Sequence, residues 1–283
     1  MKLNRLYKKI RFWIFITFKK ILQPIIYSNR INKTLVFIIA CQRSGTSIMV
    51  KVFQKDFQTK VYEDEHSPIT SEDMKSFIRF NSFESLFKIF QKVNAKVIIT
   101  KPLVEIQNIL SYFDFFPGSK AIWIFRNYKD VAFSNITHFG KDNGYKNLKP
   151  ILDSEDNNWR SENLPNKIRE VVSKHYIEDL GSYDAAALFW YVRNALFFEL
   201  GLDKRSDVTM CKYEDFVQKP AKNIRRIYDF LEIHYPGDKI VEEVHQKATG
   251  KGRIVELSKS INDICDELYL KMEDVYKNCL ARK

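Results

Sequence analysis

The sequence predicts a three-layer α/β domain, in which a central, mostly parallel sheet lies between helices. The chain of 283 residues contains short segments that are almost continuously apolar, and helical patterns separate them. Apolar segments without polar alternation are typical of strands buried on both faces of a parallel sheet. Helices between successive strands supply the crossover connections that such a sheet requires. With 45% apolar residues, the chain has enough apolar surface to bury one large core.

Five segments are predicted as strands, and polar residues follow each of them. They are Leu35–Ala40, Thr59–Tyr62, Val97–Thr100, Ala121–Phe125 and Asp207–Cys211. Apolar residues at helical spacing predict the helices between and after these strands. These are Thr46–Phe57, Ser82–Val93, Asp130–Phe139, Tyr183–Leu200 and Lys219–Leu231. Residues 140–182 are polar, and we interpret them as an irregular insertion or lid. Residues 253–283 are predicted to form one helix and a loop.

The net charge and the cysteines restrict the class of protein. A formal net charge of +11 suits an anionic partner, such as a nucleotide, a nucleic acid, a membrane surface or an acidic polymer, and does not choose among them. The four cysteines form no CxxC pair, which argues against a zinc site. Cys41 and Cys211 end apolar segments, where free thiols are often buried. We therefore expect a reducing, cytoplasmic compartment.

Residues 1–30 form a basic, aromatic segment before the main domain, which we assign to residues 31–283. The uncharged run Phe12–Phe18 has only seven residues, whereas a membrane-spanning helix needs roughly 20. Lys19 and Lys20 interrupt this run, and no small-residue cleavage site follows it. The mixture of Lys and Arg with Phe, Trp and Ile is typical of a helix at a membrane surface. The alternatives are a basic helix packed on the domain and a disordered arm.

The first predicted strand leads directly into a polar loop that precedes a helix. The loop reads Cys41-Gln42-Arg43-Ser44-Gly45-Thr46-Ser47. A strand, a loop and a helix in this order present backbone N–H groups and a helix N-terminus to a phosphate. Gly45 allows close approach of the backbone, and Arg43 adds a permanent charge with a bidentate fork. The sequence therefore predicts a phosphate-binding loop and a fold like that of the P-loop NTPases.

Two residues of this loop depart from the nucleoside triphosphate pattern G-x-x-x-x-G-K-[ST]. Ala40 stands at the first glycine and Thr46 stands at the lysine. Without the lysine that reaches the β- and γ-phosphates, a triphosphate fits poorly, which disfavours a small-molecule kinase. The other alternative is a non-enzymatic module that binds anionic lipid or nucleic acid through its positive charge.

Three stretches of the chain resemble the PAPS-dependent sulfotransferases, where PAPS is 3′-phosphoadenosine 5′-phosphosulfate. The loop at 41–47 resembles their 5′-phosphosulfate loop, with a pattern near [PR]-[KR]-S-G-T-[ST]. Ala121–Phe139 resembles their 3′-phosphate motif, and Lys212–Ile233 resembles a segment near the C-terminal end of the family. The three stretches occur in the family's order. The resemblance implies transfer of a sulfuryl group from PAPS to an acceptor hydroxyl, with no metal and no nucleic acid partner.

The resemblance also implies the residues that bind PAPS. The 5′ end is held by Arg43, Ser44, Gly45, Thr46 and Ser47. Arg126 and Ser134 match the pair that grips the 3′-phosphate, Tyr213 matches a position near the adenine, and Arg253 is similar to a basic residue of a closing C-terminal loop. The alternatives are an ordinary ion pair of Arg126 with Asp130 and a core role for Tyr213. Ile48 is a departure, since many cytosolic members have an aromatic residue there that stacks on adenine.

Sulfuryl transfer develops charge on the oxygen that bridges to the leaving phosphate, and fixed cations stabilise that charge. Arg43 is one such cation, and Lys101 matches the family's catalytic lysine. Cytosolic members place a histidine base two residues after this lysine, but here the residue is Leu103. Protein-tyrosine and some carbohydrate sulfotransferases instead place a catalytic glutamate near the position of the cluster Glu63-Asp64-Glu65-His66. We expect a carboxylate base at Glu65 or Glu63, favouring Glu65, with His66 in reserve.

Five of these candidates come directly after predicted strands: Arg43, Glu65, Lys101, Arg126 and Tyr213. The carboxyl ends of parallel strands meet at one edge of an open sheet, where ligands bind. The sequence therefore predicts that the candidates converge on one site. For the acceptor, the acidic base and the basic apolar N-terminus favour a carbohydrate or glycolipid, with a protein tyrosine or a small phenol as alternatives.

Overall fold

The computed structural model describes residues 2–27, 32–63, 67–73, 77–246 and 249–281. The strands are β1 Thr34–Ala40, β2 Thr59–Val61, β3 Thr70–Asp73, β4 Phe77–Phe80, β5 Val97–Thr100, β6 Lys120–Phe125 and β7 Val208–Lys212. The helices before β6 are α1 Lys2–Ile26, α2 Thr46–Gln54, α3 Phe83–Gln91 and α4 Ile109–Phe115. Those after β6 are α5 Tyr128–Phe139, α6 Asn143–Leu152, α7 Asn166–His175, α8 Ser182–Glu199, α9 Tyr213–Gln218, α10 Pro220–Leu231 and α11 Lys259–Ala281.

The central sheet consists of the five predicted strands, all parallel, in the order β2-β5-β1-β6-β7. Its middle strand, β1, is buried on both faces. Alternate residues of β1 pack into two separate cores, with Phe37 in the core that contains Trp123 and Ile38 in the core that contains Phe53. The burial explains the continuous apolar character of this strand, and the predicted α/β fold with helices on both faces of the sheet is confirmed.

Residues 140–182 do not form the irregular segment that we expected. They contain α6 and α7, which pack against α8. Leu148, Ile151 and Ile168 are buried in the core. A Cβ atom on Gly144 would lie 2.7 Å from the backbone carbon of Ala185, so α6 and α8 approach closely at that glycine. The expectation was wrong because the apolar residues of this segment are few, although their spacing on each helix is regular.

Smaller differences concern the ends of elements. The predicted helix at 219–231 begins at Pro220, and the short helix α9 precedes it. Proline is well suited to the first turn of a helix because the missing N–H has no helical partner there. The predicted strand at 59–62 ends at Val61, and helix α2 ends at Gln54 rather than Phe57. The antiparallel hairpin β3–β4 was not predicted.

The N-terminal segment forms the helix α1, one face of which packs on the domain. The Lys19 Nζ atom donates to Gln54 O at 3.0 Å, and Gln23 Nε2 donates to Phe57 O at 2.8 Å. Burial lowers the pKa of Lys19 to about 7. The ring of Phe15 contacts that of Phe57, with centroids 5.8 Å apart. Among the described helices, none combines the length and the apolar character needed to cross a bilayer.

Candidate functional site

The loop between β1 and α2 has a backbone conformation that requires glycine at one position. Gly45 has φ +100°, and helix α2 begins at the next residue, Thr46. A Cβ atom on Gly45 would lie 2.3 Å from Cδ2 of Tyr213. Any larger residue would therefore displace the loop or the tyrosine ring. Within the loop, Ser44 is buried, and its Oγ atom has no hydrogen-bond partner among the described residues.

Two arginines join this loop to the end of β6 and to α5. Arg43 Nε donates to Ser134 Oγ at 3.1 Å, and Arg126 Nη1 donates to Arg43 O at 3.1 Å. Burial, and secondarily the charge of Arg126, lowers the pKa of Arg43. These two neighbouring guanidinium groups form an electropositive site that favours an anion. The structure thus brings together the two stretches that were predicted to grip phosphate.

Asp130 connects Arg126 to the C-terminal loop that carries Arg253. Its carboxylate lies 3.5 Å from Arg126 Nη2, which is the ion pair considered in the sequence analysis. The same carboxylate accepts hydrogen bonds from Gly250 N at 2.8 Å and Gly252 N at 2.6 Å. Asp130 therefore anchors this loop beside the start of α5, and the side chain of Arg253 is exposed there.

Tyr213 lies behind the phosphate loop and is only 2% exposed. Its ring contacts Gly45, and the guanidinium carbon of Arg126 lies 4.5 Å from the ring centroid. The tyrosine thus supports both the loop and the arginine from within the core. The core role that was considered for it is realised, while contact with adenine stays a prediction.

A cleft of about 520 Å³ opens above the loop. Four of the predicted residues line this cleft: Arg43, Thr46, Ser47 and Lys101. Arg126 and Ser134 form hydrogen bonds with Arg43, and the Tyr213 ring contacts Gly45, so these three residues support the loop. Lys101 follows β5 and Arg43 follows β1, which are neighbours in the sheet. The predicted convergence at the carboxyl ends of the strands is present for these residues.

The cleft is also lined by residues that were not predicted to belong to the site. They are His138 and Phe139 at the end of α5, Asn143 and Asn147 on α6, and Trp159 with Arg160 in the following loop. His138 lies one helical turn beyond Ser134, so the spacing of four residues was a signal that it shares the face of Ser134. Phe139 ends the helix that was predicted over Asp130–Phe139. Asn143, Asn147, Trp159 and Arg160 lie in the segment that was interpreted as irregular, where no pattern marked them.

A buried arginine supports the residues after Lys101. Arg193 on α8 is 1% exposed, and burial lowers its pKa to about 10. Its Nη2 donates to Leu103 O at 2.7 Å, and its Nη1 donates to Gln107 Oε1 at 2.7 Å. These bonds fix the backbone that follows β5. Leu103, which stands where cytosolic members have their base, lines the cleft and is held in this way.

Of the candidate bases, the structure describes Glu63, which is not among the residues that line the cleft. Glu63 is exposed, and its Oε1 accepts a hydrogen bond from Gln54 Nε2 at 2.6 Å. It lines a different pocket, which residues of α1, α2 and β2 form. Glu65 and His66 lie outside the described residues. The assignment of a carboxylate base therefore stays a prediction, and the position of Glu63 favours Glu65 over Glu63.

Within the described ranges, no group of three or more His, Cys, Asp or Glu side chains could hold a metal ion. Cys41, Cys211 and Cys265 are buried free thiols. Burial raises the pKa of Cys41 to about 12, so this thiol beside the phosphate loop stays protonated at neutral pH.

Comparison with known proteins decides the family. A family model described as "Sulfotransferase domain" matches residues 33–280, which include every element except α1. The chain belongs to the sulfotransferase family. As a member it is a PAPS-dependent sulfotransferase that acts on a hydroxyl-bearing acceptor. The assignment disfavours the kinase that was considered as an alternative.

Solved sulfotransferase structures are similar to the chain. A sulfotransferase from Alicyclobacillus acidocaldarius is 15% identical, with a TM-score of 0.51 over 89% of this chain and 98% of that one. The sulfotransferase domain of the Synechococcus PCC 7002 olefin synthase is 16% identical, with a TM-score of 0.49 over 85% and 96%. Mouse sulfotransferase SULT7A1 complexed with PAP is 16% identical, with a TM-score of 0.48 over 90% and 92%. No match was found among curated protein sequences.

Proposed function

We propose that this sulfotransferase transfers the sulfuryl group of PAPS to a hydroxyl group of a carbohydrate or glycolipid. The observation that carries the proposal is the composition of one cleft. Its lining combines Arg43 of the phosphate loop and Lys101 after β5 with amides and aromatic rings, and the Arg43 guanidinium carbon lies 5.8 Å from the Phe139 ring centroid. Aromatic faces beside a few hydrogen-bonding groups suit an acceptor that has both apolar faces and hydroxyls, as a sugar ring has.

In this proposal, the loop from Arg43 to Ser47 binds the 5′-phosphosulfate. Arg126 and Ser134 bind the 3′-phosphate, Tyr213 lies near the adenine, and the loop of Arg253 closes over the nucleotide. The hydrogen bond between Arg43 and Ser134 and that between Arg126 and Arg43 O support a joint phosphate site. The anchoring of Gly250 and Gly252 on Asp130 supports a position of Arg253 near Arg126.

The reaction is an in-line displacement at sulfur. The acceptor oxygen forms a bond to sulfur, and the bond from sulfur to the bridging phosphate oxygen breaks. The acceptor proton passes to a carboxylate base, for which we propose Glu65. Arg43 and Lys101 stabilise the charge that develops on the bridging oxygen, since fixed cations act most strongly where charge appears in the transition state. The products are the sulfated acceptor and PAP, 3′-phosphoadenosine 5′-phosphate.

We expect PAP to stabilise the fold in a thermal denaturation experiment. At 100 times its dissociation constant, a ligand adds about 2.7 kcal/mol, which raises the melting temperature of a chain of this size by about 5 °C. AMP, which lacks the 3′-phosphate, should stabilise less, and Arg126→Gln should remove the difference between PAP and AMP. Stabilisation by ATP with Mg²⁺ but not by PAP would contradict the proposal and support a kinase. Labelled PAPS then serves to screen sugars, glycolipids, tyrosine peptides and phenols as acceptors.

We further propose that α1 docks on an anionic membrane surface. Ile10, Ile14, Phe18, Ile21 and Ile25 recur at intervals of three and four residues, which places them on one face of the helix. Each of these side chains is at least half exposed, because the opposite face contacts α2 and β2. The exposed cations Arg11 and Lys20 lie beside this apolar face. An exposed apolar stripe with flanking cations is the composition of a helix that lies in a membrane interface.

Vesicle sedimentation is expected to detect this docking. The protein should bind vesicles of phosphatidylcholine with phosphatidylserine more strongly than vesicles of phosphatidylcholine alone. Phe18→Glu should weaken binding by roughly tenfold or more, because burial of one large apolar side chain stabilises by about 1.5–3 kcal/mol. The matched control is Leu270→Glu on α11, which changes an equally exposed apolar residue to the same acid. Equal binding of Phe18→Glu and wild type would rule out docking through α1.

A further inference from the structure

One cation that lines the cleft comes from neither the phosphate loop nor the end of β5. Arg160 lines the cleft together with Asn147 and Trp159, although its residue exposure is only 9%. Its Nε donates to Asn147 Oδ1 at 2.7 Å, and its guanidinium carbon lies 4.5 Å from the Trp159 ring centroid. The amide and the indole therefore hold the guanidinium in one position, as a preorganised binding group requires.

Three cationic side chains are among the described residues that line the cleft. They are Arg43, Lys101 and Arg160. The phosphosulfate of PAPS accounts for Arg43 and Lys101 in the proposed function. Arg160 belongs to a different part of the chain, in the loop after α6, and the nucleotide motifs leave it unexplained.

Asn147 provides a second observation at the same place. It is 2% exposed, and while its Oδ1 accepts from Arg160, its Nδ2 has no hydrogen-bond partner among the described residues. The bond from Arg160 fixes the orientation of this amide, because the reverse orientation would place two donors against each other. A buried donor without a partner costs about 1–3 kcal/mol, which a ligand oxygen would offset.

We propose that Arg160 and Asn147 form a subsite for an anionic group of the acceptor, so that the sulfotransferase acts on an acidic hydroxyl compound such as a carbohydrate with a carboxylate. This inference rests on the proposed function and names the acceptor class of the same cleft. A guanidinium and an amide N–H are both hydrogen-bond donors, and a carboxylate has two oxygens that can accept from them. Burial lowers the pKa of Arg160 to about 10, which leaves the side chain charged at neutral pH. The net charge of +11 also attracts an acidic acceptor over longer distances.

Calorimetry on the PAP-saturated protein tests the subsite without requiring turnover. The two probes are 4-nitrophenyl β-D-glucuronide and 4-nitrophenyl β-D-glucoside. The glucuronide has a carboxylate where the glucoside has a hydroxymethyl group, and the two are otherwise identical. With PAP in the nucleotide site, we expect the glucuronide to bind roughly tenfold more tightly or better, as one charge-assisted hydrogen-bonded pair provides. Equal affinity for the two probes would overturn the proposal.

Two variants and one control assign the preference to the subsite. Arg160→Gln removes the charge, and Asn147→Asp keeps the size of the side chain while placing a competing carboxylate beside Arg160. Both should reduce the preference for glucuronide to about threefold or less. Arg225→Gln, which removes the same charge from an exposed arginine on α10, should retain the preference for glucuronide.

Persistence of the full preference in both subsite variants would also overturn the proposal. Failure of PAP to bind would overturn both the function and the subsite, whereas PAP binding without the glucuronide preference would overturn only the subsite.

Discussion

Replacing Gly45 with alanine is expected to weaken PAP binding on the order of 100-fold, which corresponds to the loss of about one or two charge-assisted hydrogen bonds to phosphate. The new Cβ atom would lie 2.3 Å from Cδ2 of Tyr213, and the φ angle of +100° is outside the range that alanine prefers. Tyr213 cannot move away easily, because it is 2% exposed and packs against Arg126. The phosphate loop must therefore shift. Isothermal calorimetry with PAP measures the affinity, and chemical denaturation measures the loss of stability.

Gly118→Ala is the matched control for this substitution. Gly118 also has a positive φ, +80°, but a Cβ atom added there has no neighbour within 4 Å. Alanine at this position should cost about 1 kcal/mol or more of unfolding free energy through backbone strain alone. PAP affinity should stay at the wild-type level. Wild-type PAP affinity in Gly45→Ala would mean that the loop does not hold the nucleotide.

Replacing Glu65 with glutamine is expected to lower kcat/KM for sulfation of the acceptor by about 10²–10⁴-fold, the usual contribution of a general base. PAP affinity should change little, because the base touches the acceptor and not the nucleotide. The measurement is transfer from labelled PAPS across a range of pH. A carboxylate base binds its proton more weakly than an imidazole does, so activity that persists further into the acid range indicates a carboxylate.

His138 is the alternative base that the cleft offers. Among the described lining residues, it is the one that carries an imidazole, and it lies one turn beyond Ser134 on α5. His138→Gln should leave more activity than Glu65→Gln if the carboxylate is the base. Glu63→Gln should cause a smaller loss still, because Glu63 lines another pocket and contacts Gln54. Full activity in Glu65→Gln together with a collapse of kcat in His138→Gln would overturn the carboxylate assignment.

The elements of the sheet were predictable because their signal is local. All five strands of the central sheet were predicted to within a residue or two at each end, since burial on both faces leaves few polar residues in a strand. The phosphate loop was predictable for a similar reason, because the strand, the turn and the helix N-terminus are contiguous in sequence. The hairpin β3–β4 was missed, since Thr70–Asp73 is a polar strand without apolar alternation.

The contribution of α6 and of the loop after it to the cleft was not predictable from the sequence. Asn147, Trp159 and Arg160 reach the cleft because α6 packs on α8 and the loop after α6 returns to the region of Gln107, whose Nε2 donates to Trp159 O. Such contacts join residues 52 positions apart, and no periodicity within a single segment encodes them. Glu63 illustrates the converse, because it follows a predicted strand and yet lines a pocket beside α1.

The sequence by itself determined the parallel sheet, the phosphate loop and the family resemblance that the family model then established. It did so because hydrophobic periodicity and glycine-dependent turns act between residues that are close along the chain. The tertiary structure alone decided that Asp130 ties the Arg253 loop to Arg126, that Tyr213 fits against Gly45, and which face of α1 points outward. Those arrangements depend on side-chain volumes and charges meeting across distant segments, which only the packed chain brings together.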